Sequence, residues 1–468
     1  MCLEMDSPHK TTIRRKENAS SDSPSEYART LEITEKRDGM TQIDHQTDRT
    51  GQSERMVLVS SDGHIGPPAE RYREYMDPKY VDDFDKWFSS YIPVWLTKGT
   101  TARESVKSVT DTVMWGEEYQ QAFEARAAKI PWGIEGKWDA KRRLEALDID
   151  GVAADVMFPD DQSANSPPFL GLARDFSEEW DRWSPAQRRE GARAYNRWLS
   201  DFCSEDPNRL LGVGLIGSLA DVDDAIETVR WCEENGINGG LMLPVNYYNN
   251  VEPFWNDKRY DPLWSVCSEL DMPLHTHVGL GSPYYSDDAF VGGLLWAAES
   301  TFWVHRPLWF FILGGVLEKH PNLKLVFTEQ GVEWVPGALM MMDYLLDAKI
   351  TPFGESERRQ MYSIRPSEYF FRQCWLGATN TDALGWVSSG DREALGFGRL
   401  MWGSDYPHME SAWPQTREKL RTLMKGIAED EVKAMVGGNA IECYGIDQTG
   451  LASTVQRIGP STEEIISR

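Results

Sequence analysis

Several things are scarce in this 468-residue chain. Lys and Arg number 49 against 74 Asp and Glu, a formal net charge of −25. Such an acidic body disfavours nucleic acid and anionic membranes as partners, so an anionic ligand would need a local basic exception. The six cysteines, Cys2, Cys203, Cys232, Cys267, Cys374 and Cys443, form no Cys-x-x-Cys pair. Dispersed thiols suit a reducing compartment and give no zinc-ribbon or disulfide framework. There is no run of about 18 apolar residues and no apolar stretch behind Arg14-Arg15-Lys16 to resemble a secretory leader, so the expected location is the cytoplasm. A Gly-rich phosphate loop after the first apolar run is also missing, which weakens a doubly wound open sheet.

What is present is a core and a strand rhythm. Apolar residues make up 41% of the chain, and the 19 tryptophans are read first as packing and second as the wall of an aromatic pocket. Residues 1–55 are polar and poor in large apolar side chains, a composition expected of a flexible N-terminal tail, and 447–468 read as a shorter C-terminal tail. Between them strand-like runs fall at 56–60, 152–158, 210–216, 237–243, 272–278, 323–328, 373–378 and 399–403. Helix-period segments separate them at 186–203, 221–235, 262–270, 307–319 and 415–426. Eight strands alternating with helices predict a parallel (β/α)8 TIM barrel over 56–446. The connection after the first strand is long, and about 61–140 is expected to be a lid-like insertion.

Residues with metal-binding chemistry lie within or just beyond these runs. Asp62 and His64 follow the first, His275 and His277 lie in the fifth, and Asp405 follows the eighth. A barrel brings strand ends to one mouth, where chemistry is found. Side chains two apart on a strand point the same way, so Asp62 and His64 can both face that mouth.

Five segments in register resemble the amidohydrolase-related family, the branch of the amidohydrolase superfamily that includes aminocarboxymuconate-semialdehyde decarboxylase. They are Ser60-Ser-Asp-Gly-His64, Met272-Pro-Leu-His-Thr-His-Val-Gly279, 314–325, Met401-Trp-Gly-Ser-Asp-Tyr-Pro-His408 and Gly438-Asn-Ala-Ile-Glu-Cys-Tyr-Gly445. The resemblance implies one divalent metal ion, Zn or Mn, held by Asp62, His64, His277 and Asp405, and it selects His277 over His275. His275 is then expected to be a hydrogen-bonded core residue or, failing that, a substrate contact. One departure is Glu329, which stands where the family's decarboxylases carry a catalytic His.

Two imidazoles with carboxylates suit water activation. The leading expectation is therefore a metal-dependent hydrolase of a small organic substrate, with Asp405 moving the proton, as the resemblance implies, and Glu329 as a general acid/base or an outer metal ligand. Nonoxidative decarboxylation of an aromatic or unsaturated carboxylic acid is the alternative, and a catalytically inactive binding barrel the third reading. His408 and Arg306 are candidate substrate contacts, although surface or helix-cap roles are favoured for Arg306 and its neighbour His305. The resemblance is compatible with a homodimer.

Overall fold

The computed structural model describes residues 54–95, 134–160, 165–170, 182–244, 253–279, 298–347, 361–378, 395–408 and 413–466, with a few single positions between them. Ser53–Arg468 form one compact unit. The N-terminal tail expected at 1–55 lies outside the described residues except for Glu54 and Arg55.

Every expected strand run carries a strand. They are β1 (Val59–Ile65), β2 (Ala154–Pro159), β3 (Leu210–Gly212), β4 (Gly214–Leu215), β5 (Leu241–Met242), β6 (Leu274–His277), β7 (Leu325–Thr328), β8 (Cys374–Ala378) and β9 (Leu400–Trp402). All neighbours pair parallel, in the orders β1-β2-β3 and β4-β5-β6-β7-β8-β9. Fully buried strands with helical crossovers are what a parallel sheet covered on its faces requires.

The nine segments exceed the eight runs because 210–216 changes partner at Val213. Its N–H donates to Met157 O, while the N–H of Gly214 donates to Gly240 O. A second junction links β1 to the chain after β9. Asp405 N–H donates to Asp62 O at 2.9 Å, His64 N–H to Tyr406 O at 2.7 Å, and Gly63 bridges Tyr406.

Helices appear where the period predicts them, at Pro185–Cys203, Val222–Glu234, Asp261–Glu269 and Thr416–Leu423. The expected helix at 307–319 is two pieces, Pro307–Leu313 and Val316–Lys319, parted at Gly315 with φ +74°. A left-handed glycine there ends the first helix.

The connection from β1 to β2 begins after Ile65, so 61–65 belong to the strand and not to the expected insertion. Its described parts include the helix Val81–Trp95, whose Phe84 and Trp87 join the main core, with Trp87 6.1 Å from Phe169. The centre of the expected lid, 96–124, lies outside the described residues. Trp87, Trp132, Trp183, Trp198, Trp255, Trp264, Trp375, Trp402 and Trp413 are all buried, so packing accounts for these nine.

The expected C-terminal tail requires correction. Residues Gln448–Ile458 and Thr462–Ile465 are helical, with Leu451 and Ile465 in the main core. Asp447 caps the first helix by accepting from Thr449 N–H, and Ser461 with Glu464 forms a capping box on the second. The segment is polar on average but concentrates its apolar residues on one face, and a compositional reading loses that distinction.

Candidate metal centre

Strand ends deliver the donors to one place. Asp62 and His64 sit in β1, His277 ends β6, Glu329 follows β7 and Asp405 follows β9. Gly63 allows the Asp-Gly-His turn of β1 to approach its neighbour. A Cβ there would run into the Arg143 guanidinium and come within 2.9 Å of Asp155 Oδ1. Glu329 and Asp405 have φ +55° and +58°, left-handed values that non-glycine residues rarely adopt and that cluster at functional sites.

Donor atoms of Asp62, His64, His277 and Glu329 all lie within 4.8 Å of one another. His277 Nε2 is 3.5 Å from Asp62 Oδ2 and 3.5 Å from Glu329 Oε2, and His64 Nε2 is 3.5 Å from Asp62 Oδ1. Asp405 reaches this group through His64, whose Nε2 lies 3.3 Å from Asp405 Oδ1. Glu329, expected as an acid/base or an outer ligand, lies inside the donor cluster, and Asp405, expected as both ligand and acid/base, adjoins it at His64.

Both carboxylate oxygens of Asp62 are buried and accept no hydrogen bond. They face the His64 and His277 imidazoles at 3.5 Å, and a cation among these atoms would supply the opposite charge that a buried carboxylate requires. Two imidazoles with hard oxygen donors match Zn²⁺ or Mn²⁺. The residues present fit the ion that the resemblance implies.

Local electrostatics act differently on the two imidazoles. Burial, aided by the nearby His408, His277 and Lys137, pushes the pKa of His64 well below its usual value, favouring the neutral ring that binds metal. Burial also opposes a charged His277, but the Asp62 carboxylate outweighs it and the net shift is upward. In the absence of metal, the two histidines are thus pulled in opposite directions.

A second group adjoins the first. His408 stacks on His64 with ring centroids 3.7 Å apart, and its Nδ1 is 2.9 Å from Asp405 Oδ1. His408 Nε2 is 3.5 Å from Asp160 Oδ1, while the other oxygen of Asp160 pairs with the fully buried Lys137. Asp160 and Lys137 escaped the sequence reading. Asp160 had a signal, since it closely follows an apolar run as Asp62 and Asp405 do. Lys137, in a short 3-10 turn of the long connection, had none.

The remaining candidates fall elsewhere. His275 is wholly buried, its Nε2 bonded to Gly239 O at 2.8 Å and its ring flat against Tyr444, and burial lowers its pKa to about 3. It lies two residues deeper in β6 than His277, wholly buried and bonded to backbone, which matches the core reading rather than a substrate contact. Arg306 has its guanidinium over Phe254, Trp303 and Phe310, and none of its described contacts is with the donor cluster. His305, expected at the surface or a helix cap, is buried and stacked on Trp334 at 3.8 Å.

Several known proteins are similar to this chain. The 2-amino-3-carboxymuconate-6-semialdehyde decarboxylase of Dictyostelium discoideum is 24% identical over 330 residues, 66% of this chain and 77% of the relative. An amidohydrolase from Mycobacterium avium subsp. paratuberculosis superposes with a TM-score of 0.59 at 18% identity, covering 84% of this chain and 100% of that one. A dihydroxybenzoic acid decarboxylase from Polaromonas sp. JS666, solved with manganese and 2-nitroresorcinol, superposes with a TM-score of 0.53 at 16% identity, covering 85% of this chain and 99% of that one. At such identities the structural likeness speaks for the fold alone. The Amidohydrolase sequence profile matches residues 138–446, and the chain belongs to that family.

Proposed function

We propose that this protein is a metal-dependent nonoxidative decarboxylase acting on a hydroxylated aromatic or unsaturated carboxylic acid. The observation that carries the proposal is the Asp62–His64–His277–Glu329 cluster, buried except for the partly exposed Glu329, in a chain whose relatives named above include two decarboxylases. The expectation of a hydrolase has no comparable support and gives way to its alternative. The two junctions, at Val213 and between Asp62 and Asp405, support reading the two parallel sheets as one closed eight-stranded barrel with β3 and β4 as a single bent strand.

In this proposal Asp62, His64, His277 and Glu329 hold one Zn or Mn ion. The bound ion supplies Lewis acidity toward an anionic substrate oxygen. The apolar ring of Phe158 lies 4.9 Å from His277 and 6.4 Å from His64. Asp405, held by His408, donates the proton that takes the place of the departing CO₂ on the substrate carbon. The electron pair of the broken C–C bond becomes that C–H bond, so no oxidant is needed. Proton donation requires Asp405 to cycle through its neutral form.

The test is CO₂ release from hydroxybenzoates and unsaturated dicarboxylic acids by metal-supplemented protein, with elemental analysis of variants. Wild type is expected to carry about one ion per chain and to release CO₂. Asp62→Ala and His277→Ala should lose the ion. His275→Ala should keep it and lose stability, by about 2 kcal/mol or more if it follows other truncations of buried side chains. Hydrolysis products without CO₂ would reinstate the hydrolase, and no metal in supplemented wild type would remove the catalytic reading.

A further inference from the structure

The buried ion pair Lys137–Asp160 has no part in the function proposed above. Both side chains are buried, Lys137 at 0% and Asp160 at 1% exposure. Placing two charges out of water is costly, and replacing such a pair with apolar residues is often neutral or stabilising. Stability alone therefore gives little reason for this pair.

Its location offers one. Asp160 uses one oxygen for Lys137 and presents the other to His408 Nε2 at 3.5 Å. The far nitrogen of His408 meets Asp405 Oδ1 at 2.9 Å, and its ring face lies 3.7 Å from that of His64. His408 is therefore held between two carboxylates and against a metal-site imidazole. Donor atoms of His64, Asp160 and His408 also lie within 4.8 Å of one another, which by itself would admit a second cation. The Lys137 ammonium on Asp160 argues against that, because it already supplies positive charge at that carboxylate.

We propose that Lys137 and Asp160 are positioning residues that lock His408, and through it the orientation of Asp405 and His64, for the metal centre. The inference rests on the metal site proposed above and adds a part of the long β1–β2 connection to it. Partners that orient ligands typically change metal affinity 10–100-fold when removed. The effect should pass through His408 and depend on it.

The experiment measures Mn²⁺ affinity by calorimetry on metal-free full-length protein, together with thermal melting of the same samples. Lys137→Met alone leaves a buried carboxylate without its partner and is expected to unfold more readily. The informative variant is Lys137→Met/Asp160→Asn, which removes both charges together. It should melt near wild type yet bind Mn²⁺ about 10–100-fold more weakly. His408→Gln should show a similar loss, and adding the double substitution to His408→Gln should cost little more, a non-additivity that general loosening of the fold would not produce. Wild-type affinity in the folded double variant would overturn the proposal, as would fully additive losses in the triple variant. A wild type that binds no Mn²⁺ or Zn²⁺ would overturn the metal reading and this inference together, so the two failures are distinguishable.

Discussion

At His305, burial and stacking on Trp334 replace the exposure that an adjoining Arg306 suggests. Its Nε2 lies 3.3 Å from Gln330 O, the backbone next to Glu329. Burial lowers its pKa to about 4 from 6.5. Between these values the unfolded chain binds more protons than the folded one, so stability rises with pH across that window and is lost as pH falls from 6.5 toward 4. The limit of this contribution is about 3 kcal/mol at 1.36 kcal/mol per pKa unit. In urea titrations between pH 4 and 7, His305→Phe, which keeps a ring against Trp334, should flatten the acid limb relative to wild type. An unchanged slope would mean that folding leaves the His305 pKa at its unfolded value. Residue identity alone did not predict this burial, because a histidine beside an arginine reads as polar surface until a helix is docked over it.

Among the elements, the ends of β7 and β9 matter most. Regular strand geometry would send the side chain after each strand along the sheet, whereas left-handed φ at Glu329 and Asp405 turns both chains sharply where the donors converge. That conformation costs a non-glycine residue on the order of 1 kcal/mol or more. Glu329→Gly should therefore stabilise the metal-free protein by about 1 kcal/mol in urea denaturation while weakening its grip on metal. A destabilised metal-free variant would show that the turn is unstrained. Strand positions and donors were legible because period-2 patterning and short motifs are local. The φ reversal, the place of Glu329 inside the donor cluster, and the arrival of Asp160 and Lys137 were not, since each depends on how neighbouring strands and connections are registered.

For the whole molecule, the body extends past the family match that ends at 446. Met56 N–H donates to Pro460 O at 2.8 Å, Arg55 bridges Ser461 at the entry to β1, and Arg457 pairs with Asp148. Removing 447–468 should cost several kcal/mol, since each buried Leu or Ile such as Leu451, Ile458 and Ile465 is worth about 1.5–3 kcal/mol. Equal urea midpoints for the truncated and full chains would contradict this. Among the described residues no helix is long and apolar enough to cross a membrane.

By itself the sequence determined the parallel α/β plan, the strands that carry donors, and Asp62, His64 and His277 as members of one site. These follow from hydrophobic period and from residues a few positions apart, where the physics is local. Only the tertiary structure decided that Glu329 closes the donor cluster, that His408 is braced by Asp160 and Lys137, that His275 is core, and that the C-terminal segment is folded. Those outcomes are set by contacts between residues tens to hundreds of positions apart. Burial and register decide them, and composition does not record either.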